Sequence, residues 1–191
     1  MSGTDPDPDV DIDVDPEDDP QGAVDRDVAD YFRSPDDVES QAFDWGVLKW
    51  MATPETGGAG RISCGVVKLE PGKGHERHNH PEAEEMLYVV RGTGEQEIAG
   101  ETREISAGEM LFVPQGVYHG TVNTGWEPLV LIAVYAPPGP ETQLREMPEC
   151  TVVPAGEPPT EENVERYRGS EDASAHTDGN DADGGTDAGS D

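Results

Sequence analysis

Gly72-Lys-Gly-His-Glu-Arg-His78-Asn-His80-Pro-Glu-Ala-Glu-Glu85-Met-Leu-Tyr-Val-Val-Arg-Gly92 and, 15 residues later, Gly108-Glu-Met-Leu-Phe-Val-Pro114-Gln-Gly116-Val-Tyr-His119-Gly-Thr-Val-Asn123 are the stretches that decide the fold. His78 and His80 stand two apart in a segment that reads as extended, so both imidazoles leave one face of a strand. Glu85 directly precedes an unbroken apolar strand, Met86-Leu87-Tyr88-Val89-Val90, and His119 belongs to the second stretch. Three imidazoles and a carboxylate on converging strands are a donor set for one divalent transition ion. Imidazole suits Zn, Cu, Fe and Ni, while carboxylate and water suit Mn. Four protein donors leave one or two positions open on a five- or six-coordinate ion, which separates a reactive site from a closed structural one.

The strand-and-turn texture continues on both sides. Residues 61–70 read as a strand and 71–74 as the loop into the histidines. Residues 95–98 and 101–105 form a hairpin about Ala99-Gly100, and 110–113, 117–123 and 129–135 are further strands. Residues 45–51 read as the first strand, 54–60 as a turn cluster, and 150–153 as an outer strand that pairs with the N-terminal segment. Short strands with evenly spaced turn signals argue for a small all-β barrel or sandwich. Leu129-Val-Leu-Ile-Ala-Val-Tyr135 is apolar at every position, the pattern of a fully buried strand. Pro137-Pro-Gly-Pro140 ends the regular pattern. Val24, Val28, Tyr31 and Phe32 fall at helical spacing, and a short helix there would end near Ser34-Pro35.

The combined spacing is Gly72-x5-His78-x-His80-x4-Glu85-x6-Gly92, then Gly108-x5-Pro114-x-Gly116-x2-His119-x3-Asn123. It resembles the two sequence motifs of the cupin superfamily, with every motif position filled, over a motif core of residues 60–136. The resemblance implies a cupin-type jelly-roll β-barrel (a double-stranded β-helix) and metal ligands at His78, His80, Glu85 and His119. Glu84 competes with Glu85, which is preferred because it alone sets Gly92 at the family distance. The motif glycines supply positive φ and tight reversals, and Pro114 fixes the approach to His119. In phase with the ligands, Leu87, Val89, Val117, Thr121 and Asn123 face inward and Tyr118 outward. Asn123 is either a loop-ordering amide or a substrate contact. His75, Glu76 and Arg77 precede the ligands, and Tyr88, Trp126 and Tyr135 lie near the rim. Each of these six reads as packing or solvated rim ahead of substrate contact.

What the resemblance implies is a single-domain cupin with one divalent ion, Fe, Mn, Ni or Zn. It would act on a small oxygenated metabolite, a sugar or a hydroxy or keto acid, as an isomerase or epimerase. An Fe(II)-dependent dioxygenase and a non-enzymatic small-ligand-binding or sensing cupin are the alternatives. Residues 121–125 and 129–135 are similar to archaeal cupin-type phosphoglucose isomerases, in which the gap before the glutamate is longer.

Charge sets the surroundings. With 42 acidic and 12 basic residues the formal charge is −30, which excludes nucleic acid and anionic membrane as partners, since phosphate binding needs clustered Lys and Arg. Residues 23–160 still hold 23 acids against 10 bases. A surface so charged repels itself in dilute buffer and is screened at molar salt, where the Debye length is about 3 Å. The composition is that of a salt-accumulating halophile, here read as a halophilic archaeon. Residues 1–22 read as a disordered acidic leader, 23–155 as the barrel with flanking strands, and 156–191 as a disordered acidic tail. The aspartate array within 5–16 lacks a glycine turn that could gather it around calcium, and His176 in the tail reads as inert.

Cys64 and Cys150 read as reduced thiols. No signal peptide or membrane span is expected, hence a cytoplasmic protein. A homodimer is expected from the edge strands near 42–51 and 150–153, where Trp45 and Trp50 suggest a buried contact. The competing view has both tryptophans cap their own barrel.

Overall fold

The computed structural model describes residues 32–57 and 60–169. Contacts divide the chain between Phe32 and Arg33, and every element below belongs to the second unit. Its strands are β1 (Ser40–Phe43), β2 (Gly46–Ala52), β3 (Ser63–Leu69), β4 (Gly74–His78), β5 (Glu84–Arg91), β6 (Thr93–Ile98), β7 (Glu101–Ser106), β8 (Met110–Val113), β9 (His119–Val122), β10 (Leu129–Ala136) and β11 (Thr151–Val153). They form two antiparallel sheets, ordered β11-β1-β2-β3-β10-β5-β8 and β4-β9-β6-β7. This is the all-β architecture that the strand spacing implied, in the jelly-roll form that the resemblance implied.

Turn chemistry explains the reversals. Ala99 and Gly100 both have positive φ, 56° and 87°, as a two-residue type I′ hairpin requires. The motif glycines Gly72, Gly92, Gly108 and Gly116 have φ of 72°, 90°, 94° and 74°, where a side chain would be strained. Gly46 has a different reason: a Cβ there would stand 2.0 Å from the Lys68 carbonyl oxygen.

The core lies between the sheets. Along β10 the odd positions Leu129, Leu131, Ala133 and Tyr135 are buried, and they meet Leu69, Leu87 and Val89 from the neighbouring strands. The even positions are only half-buried. The expectation of a strand buried on both faces is therefore corrected: β10 has one core face and one outer face, both apolar.

β11 pairs with β1, Ser40 opposite Val153, as expected for the outer strand. The tryptophans make the following contacts within their own chain. Trp50 is 6% exposed, donates Nε1–H to Gln41 Oε1 at 3.1 Å and packs 5.3 Å from Tyr135. Trp45 stacks on Phe43 at 4.7 Å and lies 4.9 Å from His75. Trp50 is thus buried in its own barrel, while Trp45 stays half-buried beside it.

Three short helices complete the described residues: α1 (Pro54–Gly57), α2 (Pro140–Arg145) and α3 (Glu161–Tyr167). The strand pattern ends at Ala136, directly before the Pro137–Pro140 run, as expected, and Pro140 goes on to open a helix. It occupies the first turn of α2, where its missing N–H costs nothing. α3 lies in the segment assigned to the acidic tail, which is described as far as Gly169. There Thr160 caps the helix by accepting from Asn163 N–H, with Glu161 and Glu162 in the first turn. The leader 1–22, His176 and the expected helix as far as Tyr31 lie outside the described residues; its expected end, residues 32–34, is not helical, and Ser34 instead caps a 3-10 turn over Pro35–Asp37.

Candidate metal centre

Two strands of the small sheet and one of the large sheet bring the predicted residues together. β4 pairs with β9 so that His78 stands opposite His119. Glu85, the second residue of β5, stands opposite Val113 on one side and Tyr135 on the other. His80 lies two residues beyond β4, and the turn before β9 holds it in place. Gly116 N–H donates to the His80 carbonyl at 2.9 Å, Asn79 Nδ2 to the Gly116 carbonyl at 3.1 Å, and Gln115 Nε2 to the Pro81 carbonyl at 2.7 Å. The Pro-x-Gly turn that leads to His119 thus also positions His80.

One donor atom from each of His78, His80, Glu85 and His119 lies within 4.8 Å of the others. Glu85 is 5% exposed, whereas Glu84 faces solvent, so the strand phase selects Glu85. Glu85 Oε2 lies 2.7 Å from His119 Nε2 and 3.6 Å from His80 Nε2. The Nε2 atoms of all three histidines and Glu85 Oε2 are buried, with no hydrogen-bond partner outside this cluster among the described residues. His78 Nδ1–H donates to the Glu76 carbonyl at 2.7 Å and His119 Nδ1–H to the Val117 carbonyl at 3.0 Å. A ring that donates from Nδ1 carries a lone pair on Nε2. Lone pairs from imidazoles and a carboxylate converging on one point call for a cation between them. Donors held ~2.0–2.2 Å from such an ion sit roughly 3–4 Å apart, so small side-chain adjustments would seat one here.

The electrostatics point the same way. Burial, with His75 and His119 alongside, drives His78 down to about 3, and burial drives His75 to about 4. Burial pushes the Glu85 carboxyl up, but hydrogen bonds and charge from His119 and His80 outweigh it and hold it at about 2. Burial disfavours a charged His119, yet Glu85 beside it raises its pKa overall. At neutral pH Glu85 is an ionised carboxylate and His78 an unprotonated imidazole, the states in which each binds a divalent ion.

His78, Glu85 and His119 form one wall of a cavity of about 30 Å³, room for one or two waters. The rest of the wall is aliphatic or aromatic, including Trp45, Leu48, Leu131 and Leu144, with His75 and Thr121 as polar exceptions. Two of these residues were read as packing or rim. His75 lies 4.1 Å from His78, ring to ring. Tyr135, placed near the rim, is a core residue 3% exposed whose ring packs 4.7 Å from His80. Burial and the facing carboxylate of Glu85 push its phenol well above the ordinary range.

The other predicted positions sort cleanly. Leu87, Val89 and Thr121 are buried beside the ligands, Val117 is half-buried, and Tyr118 points out beneath Arg77. Arg77 pairs with Glu97 at 3.0 Å, and Trp126 is fully exposed. Asn123 is wholly buried and orders loops. Its Nδ2 donates to the Leu69 and Glu127 carbonyls, and its Oδ1 accepts from Gly125 N–H, each at 2.9 Å. A larger groove of about 570 Å³ runs between Trp50, Thr53, Glu141 and Arg145, and none of the four donor residues lines it.

A family described as Cupin domain matches residues 65–135. The chain is 33% identical over 99 residues to the polyketide synthase CurC of Streptomyces cyaneus, 52% of this chain and 64% of that one. It is 30% identical over 115 residues to the tetracenomycin polyketide synthase protein TcmJ of Streptomyces glaucescens, 60% of this chain and 77% of that one. The match to CurC therefore spans less than two thirds of CurC. Among solved structures, KdgF from Halomonas sp. aligns with a TM-score of 0.52 at 23% identity, over 58% of this chain and 96% of that one. That likeness is one of fold.

Proposed function

This chain belongs to the cupin family, and we propose that it is a metal-dependent cupin acting on a small oxygenated molecule. In this reading His78, His80, Glu85 and His119 hold one divalent ion, Fe, Mn, Ni or Zn. One observation carries it: four buried donor atoms without other partners lie within 4.8 Å of one another. When bound, the ion supplies Lewis-acid polarisation and a position for a ligand oxygen. The protein's own part is to fix the donors and keep water scarce. Backbone carbonyls clamp two of the imidazoles, and Leu48, Leu87, Leu131 and Leu144 wall the cavity.

No Lys or Arg lines that cavity, so an anionic ligand has no partner there beyond the ion itself. Among sugars and hydroxy or keto acids, this favours a keto or hydroxyl function carried on an uncharged, largely apolar frame. Relatives named as polyketide synthase proteins support the same direction. The cavity's size admits only the chelating end of such a molecule. An Fe(II)-dependent dioxygenase is the second reading, favoured by the aliphatic lining, which suits an apolar gas as co-substrate. The excess of 42 acids over 12 bases supports a salt-rich cytoplasm as the working environment. Among the described residues no helix is long and apolar enough to cross a membrane.

The test begins with elemental analysis of protein purified without chelators, which should find close to one ion per chain. Metal-loaded protein is then offered hydroxy acids, keto acids, phenols and sugars, with turnover and binding both followed. Turnover supports an enzyme, and saturable binding without turnover supports a sensing or carrier cupin. Stoichiometric metal in the His78→Ala, His119→Ala double variant would sink the site.

A further inference from the structure

The groove between β2 and α2 lies apart from the metal centre, and one group in it is incompletely satisfied. Glu141, in the first turn of α2, is 4% exposed. Its Oε2 accepts from Ser63 Oγ at 2.8 Å and from Gly139 N–H at 2.7 Å. Its Oε1 has no hydrogen-bond partner among the described residues, yet it is not sealed from solvent, and Glu141 lines the groove. Only water or a ligand in the groove can bring that oxygen a donor. Among the described residues Arg145 is the one basic side chain on the groove, and it grips Glu39 by two bonds of 2.7 and 3.2 Å. Trp50 gives a fixed wall. Its indole N–H is bound to Gln41 and its ring packs on Tyr135. A Cβ at Gly65 would stand 2.6 Å from that ring, so glycine there leaves the indole its place against β3. Val38, Pro154 and Ala155 add apolar wall, and Asp37 and Glu55 bring further negative charge.

We propose that this groove is a second ligand site, and that it takes a primary ammonium ion carried on an apolar body. Its volume of about 570 Å³ is that of a small-molecule site. A bare metal ion is a poor fit, because Ca²⁺ takes roughly six to eight oxygens and Glu141 offers one. Charge disfavours an anion, since the only cation on the groove is already paired and the remaining charges are carboxylates. The choice between basic groups follows from Oε2. A guanidinium engages a carboxylate best through both oxygens, and here Ser63 and Gly139 occupy one of them. An ammonium is a compact charge that is held by a single oxygen. The apolar wall then covers the body of the ligand, and Trp50, fixed on its other sides, needs no ordering on binding. None of the four metal donors lines the groove, so the two sites can be loaded separately.

Calorimetric titration of the full chain with phenethylamine at neutral pH is the test, with phenethyl alcohol and phenethylguanidine as probes on the same body. The amine should bind saturably at one equivalent, in metal-loaded and in chelated protein alike, and about tenfold or more tighter than either of the others. In Glu141→Gln the amide oxygen can still accept from Ser63 and Gly139 while the charge is gone. That variant should weaken the amine by about tenfold or more, with affinity for the alcohol, the melt and the metal content unchanged. Absence of saturable amine binding at millimolar concentration overturns the proposal. Equal affinity for the alcohol or the guanidine overturns the ammonium class, and loss of the amine on chelation places it on the metal ion instead. A folded Glu141→Gln with unchanged amine affinity overturns the site. If that variant does not fold, Ala155→Trp decides. Ala155 is exposed on the groove, and the larger side chain obstructs it without removing a side-chain hydrogen bond. A dissociation constant raised about tenfold or more supports the site, and an unchanged one overturns it.

Discussion

Replacing Asn123 by alanine separates loop ordering from ligand contact. The side chain is completely buried and makes three hydrogen bonds of 2.9 Å, donating to the Leu69 and Glu127 carbonyls and accepting from Gly125 N–H. These tie the loop before β4 to the loop before β10. Each bond contributes ~1 kcal/mol net, and a buried group left without a partner costs ~1–3 kcal/mol. Gly125 is partly exposed, so water can satisfy its N–H, while the Leu69 carbonyl stays orphaned. The expected loss is ~3 kcal/mol, a fall in melting temperature of roughly 10 °C for a domain of this size. Urea unfolding in molar KCl measures the first quantity and calorimetry the second. Metal content should not change, because Asn123 contributes none of the four donors. A loss under ~1 kcal/mol, or a lost ion with stability intact, would refute the reasoning and return Asn123 to the site.

Glu85→Gln should abolish retention of the ion and Glu84→Gln should leave it stoichiometric, as read by elemental analysis; the reverse pattern would assign the ligand to Glu84. In chelated, metal-free protein the depressed histidines bind protons mainly in the unfolded state. Stability should therefore fall as pH drops from 6.5 toward the folded values of about 4 for His75 and about 3 for His78. Glu85 adds to this loss as pH falls through the ordinary carboxyl range toward about 2. His119, raised by Glu85, works oppositely: its contribution is full below 6.5 and is lost as pH rises through its folded value. Denaturant midpoints that rise on acidification from pH 6.5 would contradict this balance. The melting temperature should climb between dilute buffer and molar KCl, because 23 acids against 10 bases over residues 23–160 are then screened; a flat profile removes the salt argument. Gly46→Ala should cost at least ~3 kcal/mol, since the new Cβ would lie 2.0 Å from a backbone oxygen that no rotamer change can move.

Period-two alternation made much of the site legible. It put Leu87 and Val89 beside Glu85 and Tyr118 outside, while the choice of Glu85 over Glu84 came from the resemblance, through the distance to Gly92. It failed where the backbone leaves the period. The β4–β9 register shifts between His75 and His78, so two residues an odd number apart both reach the cavity wall. No residue type announces that irregularity, and His75 stayed hidden behind the ligands. Tyr135 was missed for another reason. Parity cannot be read from a strand whose other face, Val130, Ile132 and Val134, is equally apolar. The same uniformity disguised the outer face as core. The proline run after Ala136 was legible as the end of the strands, while the helix that Pro140 opens was not, because proline opens helices as readily as it ends strands.

The four donors come from both layers of the molecule, Glu85 from the large sheet and His78 and His119 from the small one. An ion held among them is therefore a rivet as well as a reagent, bolting two sheets whose remaining contact is mostly oily side chains. It also pins His78 to His119 across 41 positions of chain. A covalent link closing a loop of that length removes roughly 4 kcal/mol of disorder from the unfolded ensemble, and coordination shares in that constraint while it lasts. Metal loading should accordingly slow opening of both sheets together, and a chain that had lost its chemistry would still have a mechanical reason to keep all four residues.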